Sequence, residues 1–275
     1  MKLLTLSLLV GFLSAISACS LSTYPEPPRY DHIVIVVEEN HSASEVMGSP
    51  YLSSLAARGA FLTRSYAVAH PSQPNYFALF SGSTQAVTDD AHYDISAPNL
   101  ATALLGAGLS FAGYCEDLPA VGYRGDASGA YVRKHAPWAS FLNVPGSVNI
   151  PFSMFPTTAF SSLPTVSFVI PNLQNDMHDG SIAAGDSWLA TNIEGYARWA
   201  VDNNSLLVVT FDEGPGALPP QSTPIATILA GARVRQGMSD RPVTHYSLLR
   251  LVEDIYTLPY LGLEGTAERI VGIWY

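Results

Sequence analysis

The stretch His32-Ile33-Val34-Ile35-Val36-Val37 does most to limit what this chain can become. Its side chains run apolar and mostly β-branched, without the polar alternation of a half-exposed strand. Both faces must therefore be covered, as in the central strand of a parallel sheet. The run passes straight into Glu38-Glu39-Asn40. Segments 166–170, 206–211 and 224–229 have the same character, and apolar residues recur at intervals of three and four over 51–58, 99–105, 188–202 and 246–256. This alternation predicts a three-layer α/β/α sandwich around a mainly parallel sheet. The chain has 275 residues, 48% of them hydrophobic and 13% charged, enough for one large core.

In such sheets ligands sit beyond the carboxyl ends of the strands. Three of those ends are polar: Glu39-Asn40 after the first run, a loop holding Asp176, His178 and Asp179 after the second, and Asp212-Glu213 after the third. Oxygen-rich groups with one or two imidazoles suit a hard or borderline divalent cation. A fourth element is Ser72, set between Pro71 and Pro74 ahead of an apolar run that reads as a short helix. Two readings of Ser72 stand on this segment alone. It is either a helix N-cap, or a hydroxyl placed beside free N–H groups and the positive end of a helix dipole, where an anion would bind.

The formal charge is −10, with 23 acidic against 13 basic residues and no Lys/Arg cluster, which argues against nucleic acid as the partner. Residues 1–18 read as a signal peptide, with Lys2 ahead of a short apolar run and small residues behind it. Ile16-Ser17-Ala18-Cys19 resembles a bacterial lipoprotein processing site, so Cys19 is expected to carry lipid and anchor a periplasmic or outer-membrane protein; ordinary secretion is the alternative. Residues 19–30, rich in proline, read as a tether, and 31–275 as one domain. A lipidated Cys19 leaves Cys115 no partner for a disulfide, and two cysteines exclude a zinc-thiolate site.

Several motifs in this order resemble the phosphoesterase family of bacterial and fungal acid phosphatases and phospholipases C, within the alkaline phosphatase superfamily. They are VVEENHS at 36–42, HPSQPNY at 70–76, YCEDLP at 114–119, YVRKHAP at 131–137, the 176–179 loop, TFDE at 210–213 and HYSLLR at 245–250. The resemblance implies an alkaline phosphatase-like fold and a divalent metal (Ca, Mg, Mn, Fe or Zn) held by Glu39, Asn40, Asp212 and Glu213. Ser72 would be nucleophile and metal neighbour, His135 an active-site histidine, and Asp176 and His178 further residues of the pocket. The chain departs from the family pattern at Ala136, where asparagine is common, and at His41. Tyr76 stands where the sulfatase branch carries arginine.

Ser72 would attack phosphorus, becoming phosphorylated, and water would release phosphate in a second displacement. His135 or His178 would protonate the leaving oxygen, with Asn75, Asp176, Arg133 and Lys134 facing the substrate, a small phosphomonoester or a phospholipid headgroup. Monoesters are expected over diesters, because the phospholipase C members carry long additions to the catalytic domain. The alternatives are a phosphodiesterase of that type, a metal-independent serine esterase, and a lipoprotein that only binds phosphate-bearing ligands. Ser72 lacks the GxSxG elbow, and a triad would leave Glu39 and Asp212-Glu213 without a task. His92 reads as a surface residue, His245 as a residue that caps or packs against its helix, and Trp188 and Trp199 as core.

Overall fold

The computed structural model describes residues 24–216 and 219–275. The expected signal peptide and Cys19 lie outside these residues. None of the described helices is long and apolar enough to cross a membrane. The strands are β1 (His32–Glu38), β2 (Ala60–Leu62), β3 (Ser65–Tyr66), β4 (Phe111–Cys115), β5 (Ala127–Ser128), β6 (Tyr131–Val132), β7 (Asn149–Pro151), β8 (Val166–Ile170), β9 (Ser205–Phe211), β10 (Thr227–Gly231), β11 (Gly237–Ser239) and β12 (Val243–Thr244). The α-helices are α1 (Ala43–Val46), α2 (Pro50–Arg58), α3 (Ser72–Ser81), α4 (Leu100–Gly106), α5 (Pro137–Ser140), α6 (Ile182–Asn192), α7 (Glu194–Asp202) and α8 (His245–Tyr256).

Eight strands form one sheet in the order β11-β2-β10-β9-β1-β8-β4-β7. The run that opened the sequence reading is β1, paired in parallel with β8 on one side and β9 on the other. Its side chains alternate between two cores. Ile33, Ile35 and Val37 meet Phe77, Phe80, Leu248 and Leu249 from α3 and α8. Val34 and Val36 face the opposite layer with Leu52, Leu55, Leu189 and Tyr196. The result is the expected α/β/α sandwich.

The structure also differs from the pattern reading in three places. The strand expected over 224–229 begins at Thr227 and runs antiparallel to β9. Pro224 cannot donate to a ladder, and its carbonyl instead accepts from Ala43 N–H. The helix expected over 188–202 begins at Ile182 and is interrupted at Ile193, giving α6 and α7. At that interruption the Asn192 side chain donates to the Trp188 carbonyl. The third difference is β4, whose Ala112-Gly113 pair carries no β-branched signal. There glycine is required by close approach, since a Cβ on Gly113 would lie 2.0 Å from the Trp138 ring.

Candidate active site

Because β8, β1 and β9 are neighbours, their carboxyl ends bring Glu39, the 171–179 loop and Asp212-Glu213 to one place at the middle of the sheet edge. Main-chain bonds fix the junction. Glu39 N–H donates to the Asp176 carbonyl (2.7 Å) and Asp212 N–H to the Glu38 carbonyl (2.9 Å). Asn40, in the left-handed region at φ 44°, turns the chain so that its N–H reaches Asp212 Oδ1 at 3.0 Å. Glu38, one residue earlier, falls on the opposite face by the period of two, where burial above all raises its proton affinity well above the usual carboxylate range.

Ser72 opens α3 as its first residue, with Pro71 extended before it. Its hydroxyl lies within hydrogen-bonding distance of Glu39 Oε2 (3.1 Å) and Glu213 Oε1 (3.2 Å). The N-cap reading is thereby set aside: the Oγ is turned to carboxylates of β1 and β9. Two residues missing from the sequence-based site complete this contact. Tyr76, one turn along α3, donates its O–H to Glu39 Oε1 at 2.5 Å. His70 Nδ1 lies 2.5 Å from Glu213 Oε2. Their signal was positional, flanking Ser72 within a single short segment.

The carboxylates are crowded and buried. Burial first, and for Glu39 and Glu213 the neighbouring acids next, raises their proton affinity: Glu39 well above the usual carboxylate range, Glu213 to about 8. Burial likewise lifts Asp212 to about 6 and Asp176 to about 7. Asp212 Oδ2 and Asp176 Oδ2 are buried without a hydrogen-bond partner. His135, also buried, has Nε2 3.2 Å from Glu39 Oε1 and Nδ1 3.4 Å from Asp176 Oδ2, and its ring stacks on Tyr76. Burial, then Lys134 and His178, hold its pKa well below the ordinary histidine value. Among the described residues no group of three or more His, Cys, Asp or Glu is gathered in the arrangement of a finished metal site. Glu39 and Glu213 face Tyr76, His70 and Ser72 instead. The donor set nevertheless fits a divalent cation: it holds the orphaned Asp212 Oδ2, with that of Asp176 nearby, and acids whose mutual repulsion a positive charge would relieve.

His178 is held by its own N–H on Asp176 Oδ1 (2.8 Å), with Nδ1 2.7 Å from Asp179 Oδ1 and its ring 5.9 Å from His135. Lys134 pairs with Asp90 at 2.8 Å, and Asp90 also accepts from Gln73 N–H at 3.0 Å. The N–H expected to be free beside Ser72 is therefore capped. Asn75 and Arg133, expected to face the substrate, have polar groups engaged within the protein. The Asn75 side chain accepts from the N–H groups of Val68 and Ala69 and donates to the Ala69 carbonyl, tying down the loop before Ser72. Arg133 is buried, donating to Asp94 and to the carbonyls of Tyr93 and Ala139. Arg133→Ala should therefore cost stability, about 2–3 kcal/mol in denaturant melts, with turnover of the folded fraction changed less than about three-fold. Loss of turnover at unchanged stability would return Arg133 to the substrate. His245 is the first residue of α8, whose N-cap is Thr244; it packs against the carboxylate site, its Nε2 2.5 Å from the Asp212 carbonyl.

The sequence pattern of the phosphoesterase family matches residues 49–259. The chain belongs to the phosphoesterase family. Membership, together with the phosphatase relatives that follow, makes it a phosphatase acting on phosphate esters. A phosphatidylinositol-3-phosphatase of Mycobacterium tuberculosis is 46% identical over 277 residues, covering 98% of this chain and 91% of that protein. A phosphate-repressible acid phosphatase of Penicillium chrysogenum is 30% identical, covering 85% of this chain and 60% of its own length. Among solved structures, a protein in the alkaline phosphatase superfamily from Vibrio parahaemolyticus superposes with a TM-score of 0.62 at 12% identity, over 90% of this chain and 72% of that one. That likeness establishes the family fold as alkaline phosphatase-like.

Proposed function

We propose that the chain is a cation-dependent phosphomonoesterase that works through a phosphoserine on Ser72. The observation that carries this reading is Ser72 Oγ lying between two carboxylates, 3.1 Å from Glu39 and 3.2 Å from Glu213. A serine esterase would instead set its hydroxyl on an imidazole. The names of the relatives, a phosphoinositide phosphatase and acid phosphatases, support the monoester class.

Glu39, Asn40, Asp212 and Glu213, with Ser72, are the residues that would hold the cation. When bound, the cation supplies positive charge that favours the serine alkoxide and the phosphate oxygens. Ser72 Oγ attacks phosphorus in line with the ester oxygen, its proton passing to one of the carboxylates it already faces. As the bond to Ser72 forms, the bond to the ester oxygen breaks. His178 protonates that departing oxygen, since His135 is buried and held neutral. Water then attacks phosphorus from the vacated side, giving its proton back to His178. As the water oxygen bonds to phosphorus the P–Oγ bond breaks, orthophosphate leaves, and Ser72 Oγ takes back its proton from the carboxylate that held it. Lys134, whose charge bears on Glu39 and Asp212, offsets the anionic surroundings.

The test compares p-nitrophenyl phosphate with its bis-ester at pH 5 to 7 with added divalent metal. The monoester should react at least about ten-fold faster, because its extra negative charge meets the cation and Lys134. A faster bis-ester would move the assignment to a phosphodiesterase of the phospholipase C type. Export and anchoring through Cys19 belong to the same proposal, supported by the lipoprotein-like signal. Radiolabelled fatty acid should enter the wild type and not Cys19→Ser, and equal labelling of both would remove the anchor.

A further inference from the structure

We propose that Asp90 sets how tightly the site holds phosphate. Its carboxylate occupies two groups that a phosphate oxygen would otherwise take, and so lets orthophosphate leave. The inference rests on the phosphomonoesterase reading above. It begins at the start of α3, where Pro71 has no side chain able to cap the helix and Pro74 has no N–H, so few main-chain donors stand beside Ser72. One of them, Gln73 N–H, donates to Asp90 Oδ1 at 3.0 Å. The other oxygen, Oδ2, accepts from Lys134 Nζ at 2.8 Å. The Gln73 side chain holds the same loop, donating Nε2 to the carbonyls of Asp89 (3.3 Å) and Ala91 (2.8 Å). The residue after the nucleophile thus fixes Asp90 in place.

Three observations set this arrangement apart from plain helix capping. Asp90 lies close enough to Glu213 and His135, and Lys134 to Glu39, Asp212 and Glu213, for their charges to act on one another. The pair therefore borders the carboxylate site itself. It is also reachable: with Gln73 and Arg133 it lines a polar cavity of about 190 Å³, room enough for a small anion. The third observation is that the acid is costly. Glu213 already bears burial and the charge of Asp212, and Asp90 adds to that repulsion. An asparagine would cap Gln73 N–H as well and add no charge. What the carboxylate brings is competition, since a phosphate oxygen drawn to Lys134 meets a negative charge already bound there. Substrate and product lose binding alike. Binding common to both does not speed the chemical step, whereas a product held too tightly slows turnover.

The experiment measures how inorganic phosphate inhibits hydrolysis of p-nitrophenyl phosphate, with added divalent metal, in the wild type, Asp90→Asn and Asp90→Glu. Asp90→Asn keeps an oxygen for Gln73 N–H and loses the charge. Its inhibition constant for phosphate should fall about ten-fold, and KM with it. Asp90→Glu keeps the charge and should stay within about two-fold of the wild type. An inhibition constant that is unchanged or raised in Asp90→Asn would show Asp90 to be a plain cap and overturn the inference. A fall of equal size in Asp90→Glu would overturn it too. Should Asp90→Asn fail to fold, Asp90→Ser is read by the same limits. If the wild type does not hydrolyse p-nitrophenyl phosphate, the phosphomonoesterase reading falls by itself, and isothermal titration with inorganic phosphate decides the role of Asp90. About ten-fold tighter binding by Asp90→Asn then supports the inference, and equal, weaker or undetectable binding overturns it.

Discussion

Ser72→Ala is expected to reduce phosphomonoester turnover by roughly 10⁴-fold or more, the scale on which nucleophile deletions act, and to leave the fold intact. The fold is spared for a specific reason. Removing the hydroxyl takes away the single O–H proton that Glu39 and Glu213 compete for, but Tyr76 still donates to Glu39, and His70 and Asn75 still meet Glu213. No buried acid is stranded, so the stability change should stay within about 1 kcal/mol. Single-turnover hydrolysis of p-nitrophenyl phosphate and a thermal melt, run on the same preparation, check both halves. A variant that keeps more than about 1% of the wild-type rate would show Ser72 to be a structural hydroxyl, and the covalent route would be abandoned.

The parts of this site that were legible in the sequence are those fixed by position along a strand. Glu39, Asp212 and Glu213 follow directly on β-branched runs that admit few other structures. Sheet order alone then brings them together. The bonds of Asn75 and Arg133 are not legible, because they depend on partners that only the tertiary structure supplies: the Val68 and Ala69 amides for one, Asp94 for the other. Tyr76 and His70 were in view as residues but not as neighbours of Glu39 and Glu213, since which oxygen a side chain faces is set by the docking of α3 on the sheet. The same limit applied to β4. Its Ala112-Gly113 step looks unlike a strand, and only the Trp138 ring lying over Gly113 explains why nothing larger stands there.

Removal of the cation should reduce turnover by about 10³-fold or more, and should also reveal a pH dependence of stability that the bound cation opposes. In chelated protein Asp212, Asp176 and Glu213 titrate near 6, 7 and 8, driven first by burial, against an ordinary carboxylate value of about 4. Their folded-state pKa values lie above the unfolded ones, so folding takes up protons. The stability this contributes is complete below about pH 4 and is lost as pH rises through the interval from about 6 to 8. A bound cation reverses the preference by favouring the ionised acids, and its binding weakens as protons compete for them. Added divalent metal should therefore raise Tm more at pH 8 than at pH 5, in step with the recovery of turnover. Melts of chelated and metal-supplemented protein at the two pH values, with p-nitrophenyl phosphate assays alongside, read both effects. Full activity in chelator, with no metal-dependent rise in Tm at either pH, would take the cation out of the mechanism. The His70–Glu213 contact, 2.5 Å long and one hydrogen bond from Ser72 Oγ, would then be the base that activates the serine.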